Sequence, residues 1–190
     1  MPSLSASSFI FPNSQYIMVI KLELDLSQLE ETDKAYLAGL FDGEGCANVS
    51  ISSKPHFLKK AQRKTRYFWP RVHLAISNKS YLLLKLIRRI IGLGHASERE
   101  HLYLDKKTKV WSLRIAQPKQ VLELTTTLLP HVKLRQNDLI VLKDACTFML
   151  QHKRNSKWTP KELKFFYENY WKKIGRKETG RKRTHKWDFI

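Results

Sequence analysis

Ten residues, Tyr36-Leu37-Ala38-Gly39-Leu40-Phe41-Asp42-Gly43-Glu44-Gly45, constrain the fold of this chain more than any other stretch. Residues Lys34 to Phe41 read as the last turns of a helix, with two carboxylates two residues apart at its exit. Small Ala38 and Gly39 among Leu37, Leu40 and Phe41 notch an apolar surface, so that a second helix backbone can approach closely. Gly43 and Gly45 are expected to take positive φ and end the helix. Glu44 then lies at the electronegative C-terminal end, where carboxylate, terminal carbonyls and helix dipole together attract a cation. An ordinary buried helix with a glycine cap and a solvated acid would look the same, so the flanking stretches have to decide.

The chain has 190 residues, enough for one domain with appendages and a real core. Its 35 Lys and Arg against 17 Asp and Glu leave a formal charge of +18, which suits DNA, RNA or an anionic membrane surface. No apolar run approaches the roughly 18 residues of a membrane span. Leu82–Leu84 and Ile90–Ile91 are interrupted by Lys85, Arg88 and Arg89, so a membrane is set aside and nucleic acid leads. Cys46 and Cys146, far apart, fit neither a disulfide framework nor a zinc site and read as reduced thiols of an intracellular protein.

Residues 1–24 read as a loose arm, Ser-rich at its start and without the basic start and apolar middle of a signal peptide. An acidic, helix-capping stretch from Asp25 to Asp33 leads into the motif helix. After Gly45 the pattern alternates. Ala47, Val49 and Ile51 fall on one face and Asn48, Ser50, Ser52 and Lys54 on the other, which predicts a half-buried strand with a hydrogen-bonding open face. Lys54 to Arg71 holds Lys54, Lys59, Lys60, Arg63, Lys64, Arg66 and Arg71 and no acid; it reads as a long hairpin loop that contacts phosphates. Tyr67, Phe68 and Trp69 are assigned to no contact with bases.

A second strand puts Val72, Leu74 and Ile76 inward and Arg71, His73, Ala75 and Ser77 outward. Ser77-Asn78 signals the start of a helix with Leu82, Leu83, Leu86, Ile87 and Ile90 buried, closed by Gly92 and Gly94. A hairpin follows, from His95 to Leu104 and Val110 to Ala116, turning through Asp105–Thr108. Its open face carries Ser97, Arg99, Ser112 and Arg114. Pro118 starts a helix that stops before Pro130, and another runs through Leu139, Leu142 and Phe148. The order helix, two strands, helix, two strands, helix predicts an α+β saddle with one polar, basic face and helices on the other. Such a sheet can lie along a major groove and present alternate residues to successive base edges.

The core is placed at 25–150. Residues 151–190 form a basic helical extension with 13 Lys and Arg against 4 Asp and Glu. In it Thr159-Pro160-Lys161-Glu162 is a capping box opening an aromatic helix closed by Gly175. The tail's charge is expected to meet phosphates outside the saddle.

Leu37-Ala38-Gly39-Leu40-Phe41-Asp42-Gly43-Glu44-Gly45 resembles the signature of the LAGLIDADG homing endonucleases, with Phe for Ile, Gly for Ala and Glu for the second Asp. Ile76-Ser77-Asn78-Lys79 and Pro130-His131-Val132-Lys133-Leu134-Arg135-Gln136 resemble two further stretches of that family, in the same order. The resemblance implies a metal-dependent DNA endonuclease, with Glu44 and the carbonyl of Gly45 at the ion. Asn78 would order active-site water, and Asp42 would be structural at the helix end. Arg135, in place of a frequent Lys, and Lys133 would lie near phosphate; Arg stays protonated and can only stabilise charge. The ion expected is Mg2+, with Mn2+ or Ca2+ substituting for binding.

Only one such motif is present, and cleaving two strands needs an acid for each. Two subunits would therefore pack through Tyr36, Leu37, Ala38, Gly39, Leu40 and Asp42 on a pseudo-palindromic site, leaving short 3′ overhangs. The compartment would be an organelle or a prokaryotic cytoplasm. The alternatives are an RNA-binding intron splicing factor of the same fold, gripping intron RNA, and a non-catalytic DNA-binding regulator.

Overall fold

The computed structural model describes residues 26–58, 63–103, 106–153 and 156–174. The expectations for the N-terminal arm, Lys59, Lys60, Gly175 and the basic tail lie outside these residues. After a short turn of 3-10 helix at Leu26–Gln28, α1 spans Glu31–Glu44. It buries Leu37, Ala38 and Phe41 and passes directly into β1 (Gly45–Leu58).

Neither glycine at this junction turns left-handed. Gly43 is helical, and Gly45 is extended at φ −75° and ψ 158°, its N–H donating to the Phe41 carbonyl. Gly45 has a different reason to be glycine: a Cβ there would run into the ring and carbonyl of Phe41.

β1 pairs antiparallel with β2 (Arg63–Asn78) from Gly45↔Ile76 to Leu58↔Arg63. Most of the loop expected between Lys54 and Arg71 is therefore paired ribbon. Cross-strand partners Lys54↔Tyr67 and Ser52↔Trp69 hold it, and the Tyr67 and Trp69 rings stack 5.8 Å apart on one face. β3 (His95–Tyr103) pairs with β4 (Lys106–Ile115), and β4 pairs with β2 only over Leu74–Asn78, giving the antiparallel order β1-β2-β4-β3. β4 begins at Lys106, within the stretch expected to turn.

α2 (Tyr81–Ile91) is capped by Ser80, whose Oγ accepts from Leu83 N, two residues later than the Ser-Asn signal. Gly92 at φ 64° and Gly94 at φ 87° end it, as expected. Its buried residues are Leu84, Ile87 and Ile91, whereas Leu82 and Leu86, expected inside, are exposed. Three Leu in succession fit more than one helical face, and the sheet selects the one through Leu84.

α3 (Pro118–Leu128), with proline at its first turn, and α4 (Gln136–Gln151) pack on each other and on the sheet. The core lies between these helices and Val49, Val72, Leu74, Ile76, Leu113 and Ile115. α5 (Pro160–Phe166) opens with the complete Thr159/Glu162 capping box and continues through a π-helical turn, Tyr167–Trp171, into α6 (Lys172–Ile174). Leu163 and Phe166 are buried, and Phe148 of α4 meets the rings of Phe165, Phe166 and Tyr170. The extension thus completes the core. Cys146 is buried there, its thiol pushed up to about 12 by desolvation. No helix among the described residues is long and apolar enough to cross a membrane.

Candidate active site

Two carboxylates leave the end of α1 in opposite directions. Asp42 turns to the loop before α4, where its Oδ2 accepts from the amide of Lys133 (2.8 Å) and its Oδ1 from those of Leu134 (3.1 Å) and Arg135 (3.0 Å). The Asp42 carbonyl accepts from Arg135 Nε at 3.2 Å. Burial works against ionisation of Asp42, but the three amides and the Arg135 guanidinium outweigh it and hold the carboxyl below its ordinary value. In effect, Asp42 supplies from a distance the N-terminal cap that Arg135, ahead of α4, does not.

Glu44 points the other way and is exposed. Asn78, the last residue of β2, donates from Nδ2 to both of its oxygens, at 2.7 and 2.5 Å. The Asn78 Oδ1 in turn accepts from the Ser80 amide at 2.7 Å. Ser80 was not foreseen as a part of the site; the signal was the Asn-x-Ser spacing ahead of a helix, which favours an Asx turn. The structure therefore joins Glu44 to Asn78, and Asp42 to Lys133 and Arg135, through residues 34 to 93 positions apart. The Arg135 guanidinium is partly engaged, with Nη1 3.9 Å from Asp138 and the side chain 37% exposed.

The open face of the sheet follows the alternation. Asn48 stands opposite His73 and Ser50 opposite Arg71, while Arg71 Nη1 lies 3.4 Å from Ser52 Oγ. Ser97, Ser112 and Ser77 form one row across three strands, and His95, Arg114 and Ala75 another. Two of the expected nucleic-acid contacts are corrected: Ala75 is 6% and Ser112 2% exposed. Ala75, a short side chain, stands in register with the longer Arg114, and Ser112 accepts a hydrogen bond from Ser77 at 3.2 Å. Arg66 has the alternation of Phe68, Pro70 and Val72, so it leaves the ribbon on the other side from Tyr67 and Arg71. Lys54, Arg66 and Arg71 are exposed; Arg63, Lys64 and Arg99 are on β2 and β3, with their side chains outside the description. A groove of about 330 Å³ runs beside Ser50, Trp69, Arg71, His73 and Arg114.

The exposed face of α1 holds part of the interface expected from the sequence. Leu37 and Ala38 are 1% and 0% exposed because they pack into the protomer's own core, and Asp42 is tied to its loop. Ala35, Tyr36, Gly39 and Gly43 are exposed and Leu40 is half-buried. A Cβ on Gly39 or Gly43 would meet nothing within 4 Å. Leu134, 83% exposed, stands on the loop hydrogen-bonded to Asp42, and Leu82, 75% exposed, on the first turn of α2.

No group of three or more His, Cys, Asp or Glu able to hold a metal occurs among the described residues. Glu44 and the neighbouring Gly45 carbonyl offer oxygen alone, which suits a hard cation completed by ligands from elsewhere.

Residues 37–149 match the family model of the LAGLIDADG endonucleases, and the chain belongs to that family. Within it, the fold resembles homing endonuclease I-CvuI, crystallised on the I-CreI target with Mg and the DNA not cleaved, at 22% identity and TM-score 0.60. That match covers 80% of this chain and 86% of the other. The group I intron-encoded I-CeuI, complexed with DNA, matches at 14% identity and TM-score 0.57, covering 82% of this chain and 72% of its own. The archaeal intron-encoded I-Vdi141I, also with DNA, matches at 13% and 0.55, covering 80% and 88%. Identities this low establish a common fold. No curated protein matches the chain.

Proposed function

We propose that this protein is a site-specific DNA endonuclease of the intron-homing type, acting as a homodimer on a long pseudo-palindromic duplex and leaving short 3′ overhangs. The observation that carries the reading is the exposed Glu44 carboxylate, fixed at the end of α1 beside the sheet's basic face in a member of this family. Glu44 and the Gly45 carbonyl would hold Mg2+, which when bound stabilises charge on the phosphate and activates water. Asn78 orients Glu44. Arg135 and Lys133, carried by the loop that Asp42 anchors, stabilise negative charge near the phosphate without moving a proton. Arg71 and Lys54 meet backbone phosphates, while Asn48, Ser50, His73, Ser97 and Arg114 face base edges.

Dimerisation is supported by the open Gly39/Gly43 face and by exposed Tyr36, three residues before Gly39 on the same helix. Close approach there brings two Glu44 carboxylates together, one for each strand. The test is incubation with Mg2+ and DNA spanning the site where the coding intron is inserted. Cleavage should be lost in Glu44→Gln while DNA binding persists. Undiminished cleavage by that variant, or a monomer on DNA, would overturn the proposal.

A further inference from the structure

The Asn78 amide is placed where it competes for Glu44. Its Nδ2 lies 2.7 Å from Oε1 and 2.5 Å from Oε2, so one nitrogen engages both oxygens of the carboxylate. A cation at this carboxylate would draw on the same two oxygens, the only side-chain acceptors that Glu44 has. The amide cannot turn to offer its own oxygen instead. Oδ1 accepts from the Ser80 N–H at 2.7 Å, and an N–H only donates, so the donor end is held on Glu44. Ser80 is itself fixed as the cap of α2 through its Oγ and the Leu83 amide.

Resting on the metal-dependent reading above, we propose that Asn78 is a competitor built into the ion site. Its NH2 group stands in for the cation in the resting protein, keeps the carboxylate oriented, and has to yield before an ion takes both oxygens. With one carboxylate per protomer and that carboxylate already occupied, ion loading waits for the oxygens that a DNA phosphate adds. Asn78 is then a positioning residue that sets ion affinity and couples it to DNA.

The measurement is Mn2+ binding to the full, DNA-free chain, read from the electron paramagnetic resonance of the free ion. Asn78→Ala and Asn78→Ser are compared with the unaltered protein; the serine keeps an oxygen for the Ser80 amide, so the start of α2 is preserved. Both should bind Mn2+ about tenfold more tightly, the scale of a lost charge-assisted hydrogen bond. Adding Glu44→Gln should erase the gain. Unchanged or weaker binding in the folded variants overturns the inference, because the amide would then assist the ion. Mg2+-dependent cleavage by the unaltered protein reports separately on the parent reading: cleavage without the gain removes only this inference, and neither ion binding nor cleavage removes both.

Discussion

Replacing Asp42 tests the mechanical half of the motif. Asp42→Ala strips three successive amides, those of Lys133, Leu134 and Arg135, of their acceptor. Loss of an ordinary helix N-cap costs about 0.5–2 kcal/mol. Three bonds to one charged group place this replacement at or just above the top of that range, about 2–3 kcal/mol, since water can reach some of the freed amides. For a chain of this size the melting temperature should fall by about 5–10 °C. Asp42→Asn keeps the shape and one carbonyl acceptor but loses the charge, and should cost about half as much.

The pH dependence has a definite sign. The folded carboxyl titrates below its unfolded value, so its contribution is complete above the unfolded pKa of about 3.9 and is lost as pH falls through the lower folded value. The advantage over Asp42→Asn should therefore be the same at about pH 7 and pH 5, and close only as the pH falls through the lowered folded value. Thermal unfolding followed by circular dichroism across that range measures it. Equal melting temperatures at neutral pH, or an advantage that survives full protonation, would refute the reasoning. Cleavage should also fall in Asp42→Ala although Glu44 is untouched, because the loop carrying Lys133 and Arg135 loses its anchor.

Three further outcomes are expected. Gly39→Leu leaves the chain's fold intact, because a Cβ meets nothing within 4 Å, but in the proposed dimer it blocks approach of a second α1; ultracentrifugation should find a monomer. Phe166→Ala empties a fully buried site between the C-terminal extension and the core and should cost about 3–5 kcal/mol in urea unfolding. Arg71→Ala removes an exposed cation from the open face; its melting temperature should hold while the salt slope of DNA binding falls by about one.

The sequence carried the element order well, because the change from helical to alternating periodicity at Gly45 and the row Val72, Leu74, Ile76 leave little freedom. It misjudged the ribbon between Lys54 and Arg71. Charge and two prolines suggested a loop, whereas aromatic residues two apart on β2, set against Ser52 and Lys54 on β1, make a ladder visible only once the register is known. Of the motif-helix residues expected on an open face, Tyr36 and Gly39 are exposed and Leu40 half-buried, while Leu37 and Ala38 turn inward for a related reason. Leu37 and Ala38 look available in sequence, but α1 has two apolar sides and the chain's own core takes one. Asp42's partners lie 91 to 93 residues away, and no local pattern could assign them without the family resemblance.

Why the motif needs two acids follows from helix geometry. Residues two apart project roughly 200° from each other around an α-helix, so Asp42 and Glu44 cannot serve one ion from a single helix end. One faces the body of the protein and the other faces out. Asp42 spends its charge on the loop before α4, and in doing so fixes the helix end against which Glu44 is measured. The direct passage into β1 finishes the task. Gly45 leaves the helix against the Phe41 ring, with no connecting residue, and pairs at once with Ile76. Glu44 is thereby the last residue of the helix and the neighbour of the sheet's first row, with Asn78 at the end of the adjacent strand as its second restraint. A longer connection would let the carboxylate wander over several ångströms. Here its position is set by backbone packing on one side and a single amide on the other, and only the amide can be displaced without unfolding the junction.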